Sequence, residues 1–226
     1  MPLLVIDTSG KHGSVGLVRA AAGTGDIELI ESVPLAGGTF SAQLVPQIAA
    51  LLGKHGLSKH DVDAFVVISG PGSFTGLRVG LAAIKALSEI LQKPIVPESQ
   101  LEVVAVAAGA EGQVLAVLDA GRGEVYAGKY EVSRDGVRAL NEQLLPRSDF
   151  PSLALGSVVS TPDPGLADWA RQAGLRVCLV TVGAEEIARV GYRKLRAGET
   201  VAPEQLEANY IRRSDAEIFS KPVSSS

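Results

Sequence analysis

Two stretches half a chain apart follow one plan, and this repeat limits the fold more than any other feature. "LLVIDTSGKHGSVGLV" (3–18) and "LAVLDAGRGEVYAGKY" (115–130) each run from an apolar strand, through an Asp and a Gly-bearing turn, into a second strand. Each reads as a β-hairpin. The aspartates are Asp7 and Asp119, and the turns differ by two residues, so the repeat is a divergent one. A hairpin opening each half predicts two similar lobes, and 226 residues suffice for one large domain or two small lobes.

The rest of the pattern fills in an α/β plan. "DIELIESVPL" (26–35) alternates as a strand with one solvated face does. "FSAQLVPQIAALLGKHG" (40–56) sets Leu44, Ile48, Leu51 and Leu52 at helical spacing, with Pro46 in its first turns and a stop at Gly53 or Gly56. "DAFVVISG" (63–70) is continuously apolar, the mark of a central buried strand. A helix and a short strand "PIVP" (94–97) complete a β-β-β-α-β-α-β unit of mixed sheet and covering helices. The second half begins with an apolar helix (99–110) and the second hairpin. A loop "TPDPG" (161–165) follows, then helices near 165–173 and 184–197 around a strand at 175–181. The expected division is a first lobe over 1–98, a reduced second lobe over 99–220, and a disordered tail over 221–226.

Composition removes several classes of function. A formal net charge of −4 supplies no basic field for nucleic acid. The lone Cys178 allows neither a disulfide framework nor a four-Cys zinc site, and its apolar setting "LRVCLV" predicts a small buried hydrophobe. The start "MPLLVIDTSG" lacks a basic region and a long apolar run, and no segment reaches membrane-spanning length, so a cytoplasmic protein is expected.

"VVISGPGSFTGLRVGLAAIKAL" (66–87) joins a strand, a Gly-rich turn and a helix, the parts of a phosphate cradle. The Walker A Lys is missing, since Leu77 and Arg78 follow Gly76. "GPGSFTG" is one residue too long for the dinucleotide fingerprint, whose acidic partner only Glu98 would supply. Ser73 or Thr75 fits a helix cap, so an anion site and a plain strand-to-helix turn both remain. The helix is apolar nearly all round, interrupted by Arg78, Lys85 and Glu89. Such a helix is either sunk in a core or shared with a partner, and the stripe Gly76, Gly80, Ala83, Leu87 would admit a close neighbour. Asp7, Thr8 and Ser9 suit either a phosphate contact or an Asx-type turn. Asp119, Arg122 and Glu124 form a charged turn open to both a functional and a solvated reading. His12, His55 and His60 are scattered, and His55 and His60 stand five apart, off the spacing of a helical ligand pair. No metal site is expected.

Six segments, "LLVIDTS…GSVGL", "SAQLVPQIAALL", "GPGSFTGLRVGLAAIKAL", "PIVPESQLEVVA", "DAGRGEVYAGKY" and "NYIRR", resemble in order the TsaB (YeaZ) family. The family serves threonylcarbamoyladenosine formation on tRNA. The likeness covers residues 1–132 and then "NYIRR". It implies a two-lobed α/β fold of the acetate-kinase, sugar-kinase, Hsp70 and actin type. It also implies a non-catalytic relative of TsaD, whose first helix carries an H-x-x-x-H metal pair. Here that helix has no His, and Phe40 stands where many family members have one. The resemblance places a partner surface on the two helices, for which Phe40, Leu44, Ile48, Leu51, Phe74, Arg78, Leu81, Ala83 and Leu87 are the candidates. The glycine loop then starts an interface helix. Implied partners are TsaD, the ATPase TsaE, and a second copy when TsaD is absent, with tRNA reached only through the complex. No resident cofactor is implied for this chain, and ATP or ADP is the nucleotide of the complex. A small-molecule kinase of the same fold and a glycoprotease-like hydrolase are the alternatives.

Overall fold

The computed structural model describes residues 1–21, 25–134 and 136–211. The expected disordered tail over 221–226 lies outside the described residues, as do Arg212 and Arg213 of "NYIRR". The first sheet is built from β1 (Pro2–Asp7), β2 (Gly13–Ala20), β3 (Ile27–Leu35), β4 (Ala64–Gly70) and β5 (Ile95–Ser99). Its order is β3-β2-β1-β4-β5, antiparallel through the hairpin and parallel from β1 to β5. The second sheet repeats that order with β6 (Gly112–Gly121), β7 (Glu124–Val132), β8 (Val137–Pro146), β9 (Val158–Thr161) and β10 (Val177–Leu179). The hairpin repeat in the sequence therefore marks a repeat of whole sheets.

Strand alternation assigns the two faces of the first sheet. Leu4, Ile6, Phe65 and Val67 point to one core; Leu3, Val5, Ala64 and Val66 point to the other. The first face is covered by α1 (Phe40–Lys54) and α2 (Phe74–Leu91). The other face is covered by α6 (Ala184–Ala197), although α6 follows the second sheet in sequence. Conversely α3 (Gln100–Ala107), which leaves the first sheet, packs its Leu101, Val104 and Ala105 on the second. The expected boundary after residue 98 falls one residue before the end of β5, and the covering layers cross it in both directions. The other face of the second sheet carries α4 (Phe150–Leu153) and α5 (Pro164–Gln172). At 4 and 9 residues these are short beside α1 and α2, at 15 and 18, so the second lobe is reduced in its helices while its sheet keeps five strands.

Among the described strands and α-helices, three are absent from the sequence reading: β8, α4 and β9. β8 is an edge strand without a fully buried residue, so it lacks a strong apolar period. The "TPDPG" segment is the end of β9 and the start of α5, with Asp163 Oδ1 accepting from Leu166 N at 2.9 Å as the helix cap. Cys178 corrects its expectation: on the edge strand β10 it is half-buried.

Candidate interaction surface

At the end of β1 the chain turns tightly. Asp7 Oδ1 accepts from Ser9 N at 2.8 Å and from Ser9 Oγ at 2.6 Å, the Asx-type arrangement. Burial raises the Asp7 pKa, against the lowering pull of the two Ser9 bonds. Thr8 is fully buried, and Oγ1 has no hydrogen-bond partner among the described residues. The Ser9 carbonyl accepts from Ser73 N at 2.6 Å, which ties this turn to the start of α2.

That tie explains the glycines. A Cβ at Gly76 would collide with the Thr8 carbonyl, and one at Gly80 with Thr8 Oγ1. Both are therefore small so that α2 can lie directly on the β1 turn. Ser73 caps the helix, its hydroxyl accepting from Gly76 N at 3.3 Å. Of the expected partner-facing stripe, Gly76 and Gly80 face inward.

The inward face of the two helices also holds most of the expected interface residues. Phe40, Leu44, Ile48, Leu51 and Leu81 are 1–6% exposed in the chain's own core and offer no surface to a partner. Phe74, Ala83 and Leu87 are half-buried, and Arg78 is exposed. The physical reason is area: with apolar residues on every side, the bulky stripe buries most against the sheet, Gly76 and Gly80 seat the helix on the β1 turn, and Ala82, Ala86 and Ile90 are left outside. What the helices present is Ala42, Val45, Pro46, Ala49 and Ala50 on α1, with Ala82, Ala86 and Ile90 on α2. Val45 is 50% and Ile90 70% exposed, well above ordinary core-helix residues. Sequence reasoning missed this face, whose signal was the run of Ala at helical spacing.

Arg78 ends the face. Its guanidinium lies 3.7 Å over the Phe74 ring, and Nε donates to the Tyr210 hydroxyl at 3.1 Å.

Two cavities adjoin the helix starts. A cleft of about 800 Å³ lies between the lobes, where Ser9 and Lys11 of the first turn face Asp119 and Arg122 of the second. Asp119 is exposed, and its Oδ1 accepts from Gly121 N at 3.2 Å, so both hairpin aspartates are engaged with their own turns. The lobes therefore bring Asp119 and Arg122 to the same cleft as Ser9, while Asp7 is half-buried and does not line it. A second cavity of about 460 Å³ opens where α1 and α2 both begin, beside Lys11, His12 and the Phe40 ring. Among the described residues no three His, Cys, Asp or Glu side chains gather as a metal site would need.

Glu98 is used in neither cavity. Its fully buried carboxylate accepts from Lys194 Nζ at 2.8 Å through Oε2, and Lys194 also donates to Glu102 Oε2 at 2.8 Å. Burial pushes the Glu98 pKa up to about 7, with Lys194 holding it back. Burial also works against the Lys194 charge, but the two carboxylates outweigh it and its pKa rises. The triad joins α6 to β5 and α3 at the seam where the connecting helices cross.

Comparisons with known proteins place this architecture. A model of the family described as TsaD, tRNA N6-adenosine threonylcarbamoyltransferase, matches residues 34–166. The tRNA threonylcarbamoyladenosine biosynthesis protein TsaB of Bacillus subtilis is 33% identical over 148 residues, 65% of this chain and 60% of that protein. Its namesake from Escherichia coli is 26% identical over 229 residues, 96% of each. The solved structure of YeaZ from Pseudomonas aeruginosa matches with a TM-score of 0.72 at 27% identity, covering 92% of this chain and 100% of that one. The chain spans 60% of the Bacillus protein and 56% of a Mycobacterium leprae relative. With the doubled sheet order, the likeness to YeaZ gives the two-lobed actin-like fold.

Proposed function

The chain belongs to the TsaB (YeaZ) family, and from that premise we propose that it is a non-catalytic subunit of the machinery that makes threonylcarbamoyladenosine on tRNA, next to the anticodon. It works in the cytoplasm, pairs with a TsaD-type catalytic subunit and admits the ATPase TsaE. Without TsaD it pairs with a second copy of itself, and tRNA reaches it only through the complex.

The observation that carries this reading is the two-helix face of Ala42, Val45, Ala49, Ala82, Ala86 and Ile90. Small side chains let partner helices come close, so a four-helix contact would bury apolar area worth about 25 cal/mol per Å². Phe40 fills the start of α1 with an apolar ring, which supports assigning the catalytic metal to the partner. The first-turn aspartate is spent on Ser9, which supports assigning ATP or ADP to the other subunits rather than to Asp7, Thr8 and Ser9. The test is size-exclusion of this chain with TsaD, followed by tRNA modification by TsaD with and without it. Co-elution and a dependence of modification on this chain are expected. Modification by this chain without TsaD, or TsaD activity indifferent to it, would overturn the reading.

A further inference from the structure

The segment after α6 crosses the seam between the lobes. Val201 N donates to Ile95 O at 2.9 Å on the first sheet, and Leu206 is buried in the core under α1 and α2. Asn209 then bonds in two directions. Its N–H donates to Ser69 O at 2.8 Å, at the end of β4, and its carbonyl rests where a Cβ on Gly70 would stand 2.5 Å away. Its Nδ2 donates to Glu142 Oε2 at 2.8 Å, on β8 of the second sheet. The other Glu142 oxygen accepts from Ser99 Oγ at 2.5 Å, at the end of β5, and from the Tyr130 hydroxyl. Tyr210 follows, its ring 4.9 Å from Phe74, and Ile211 packs into the core of the second sheet.

We propose that Asn209, Tyr210 and Ile211 form a clasp that holds the two lobes at one angle, with the Asn209–Glu142 hydrogen bond as its latch. The sheets share no ladder, so a hinge motion between them is resisted by whatever bonds to both. Asn209 does so through one residue, by backbone to β4 and by side chain to β8. The latch is charge-assisted and half-buried, the stronger kind of hydrogen bond. The three residues also line the cleft between the hairpin turns, so releasing them opens that cleft. The same release frees Arg78, which Tyr210 steadies at the end of the apolar face. This clasp stands on the intramolecular geometry and is independent of which partner docks.

Hydrogen exchange of the full chain tests it. In Asn209→Asp a carboxylate meets the Glu142 carboxylate, the latch is lost, and exchange at residues 9–11, 70–78 and 119–123 should rise about tenfold. Adding Glu142→Gln moves the donor to position 142 and the acceptor to 209, leaving an oxygen for Ser99 and Tyr130. The bond re-forms with reversed polarity, and exchange should return to within about twofold of the parent. Unchanged exchange in Asn209→Asp, or a rise that the second substitution does not relieve, overturns the clasp. Should Asn209→Asp fail to fold, Asn209→Ser removes the latch without a like charge. Unchanged exchange in the same segments of that variant also overturns it.

Discussion

The helix that follows the fourth strand of each sheet differs sharply between the two lobes. In the first lobe α2 shows solvent Ala82, Ala86 and Ile90; in the second α5 shows Asp168, Arg171 and Gln172, with Arg171 paired to Asp168 at 2.8 Å. The hairpins differ in the same way. Thr8 is fully buried beneath α2 and Asp7 beside it is half-buried, whereas Asp119 is exposed in the cleft. One sheet plan thus carries an apolar, tightly seated helix layer in one lobe and a short, solvated one in the other. The two sheets share what backbone pairing requires and differ in the outer helix surface, because ladders are indifferent to what covers them. The lobe that diverged toward an apolar exterior is the one expected to meet a partner.

The largest effect should come from the seat of α2. Gly80→Val drives a branched side chain into Thr8 Oγ1 and should destabilise by roughly 3–5 kcal/mol in urea titration. A similar change on α5, Gln172→Val, should cost less than about 0.5 kcal/mol, and equal costs would break the contrast between the lobes.

Next comes the charge seam on the covered side of the first sheet. The Glu98 pKa is raised to about 7, so its protonated form is favoured by folding. Its stabilising contribution is complete below the ordinary carboxylate pKa and is lost as pH rises through about 7. The full swing is about 3 kcal/mol at most. Denaturation at pH 5 and pH 8 should show this fall, and Glu98→Gln should flatten it. A slope that survives in Glu98→Gln would place the titration elsewhere.

On the outer surface, Ala86→Glu should leave the fold intact and weaken pairing by about a hundredfold, read by sedimentation beside circular dichroism. Ala83→Glu divides the possibilities differently: half-buried against the core of the first lobe, it should cost about 2 kcal/mol of stability as well. If Ala86→Glu pairs normally, the apolar face is not the docking surface.

The smallest effect is expected on α5. Arg171→Ala removes an exposed ion pair and should change stability by less than about 0.5 kcal/mol and pairing not at all.

Much of this architecture was legible in the chain. Apolar runs marked β1, β2, β4, β6 and β7, alternation marked β3, and the paired hairpins announced the second sheet. β8 escaped because an edge strand half-open to solvent carries little pattern, and α4 because four residues are too few to show a period. The candidate surface was legible as a pair of helices but not as a face. α2 carries apolar residues in three stripes, and periodicity cannot say which of them a sheet will claim.

The sequence by itself therefore determined the elements and their repetition, since strand alternation and turn chemistry act between near neighbours. The tertiary structure decided what depends on distant partners. It set Gly76 and Gly80 beneath Thr8 and sent α6 back over the first sheet. It joined Lys194 to a carboxylate 96 positions away, and Asn209 to one 67 positions away. Such contacts follow from how packed layers meet in space, and no local propensity encodes them.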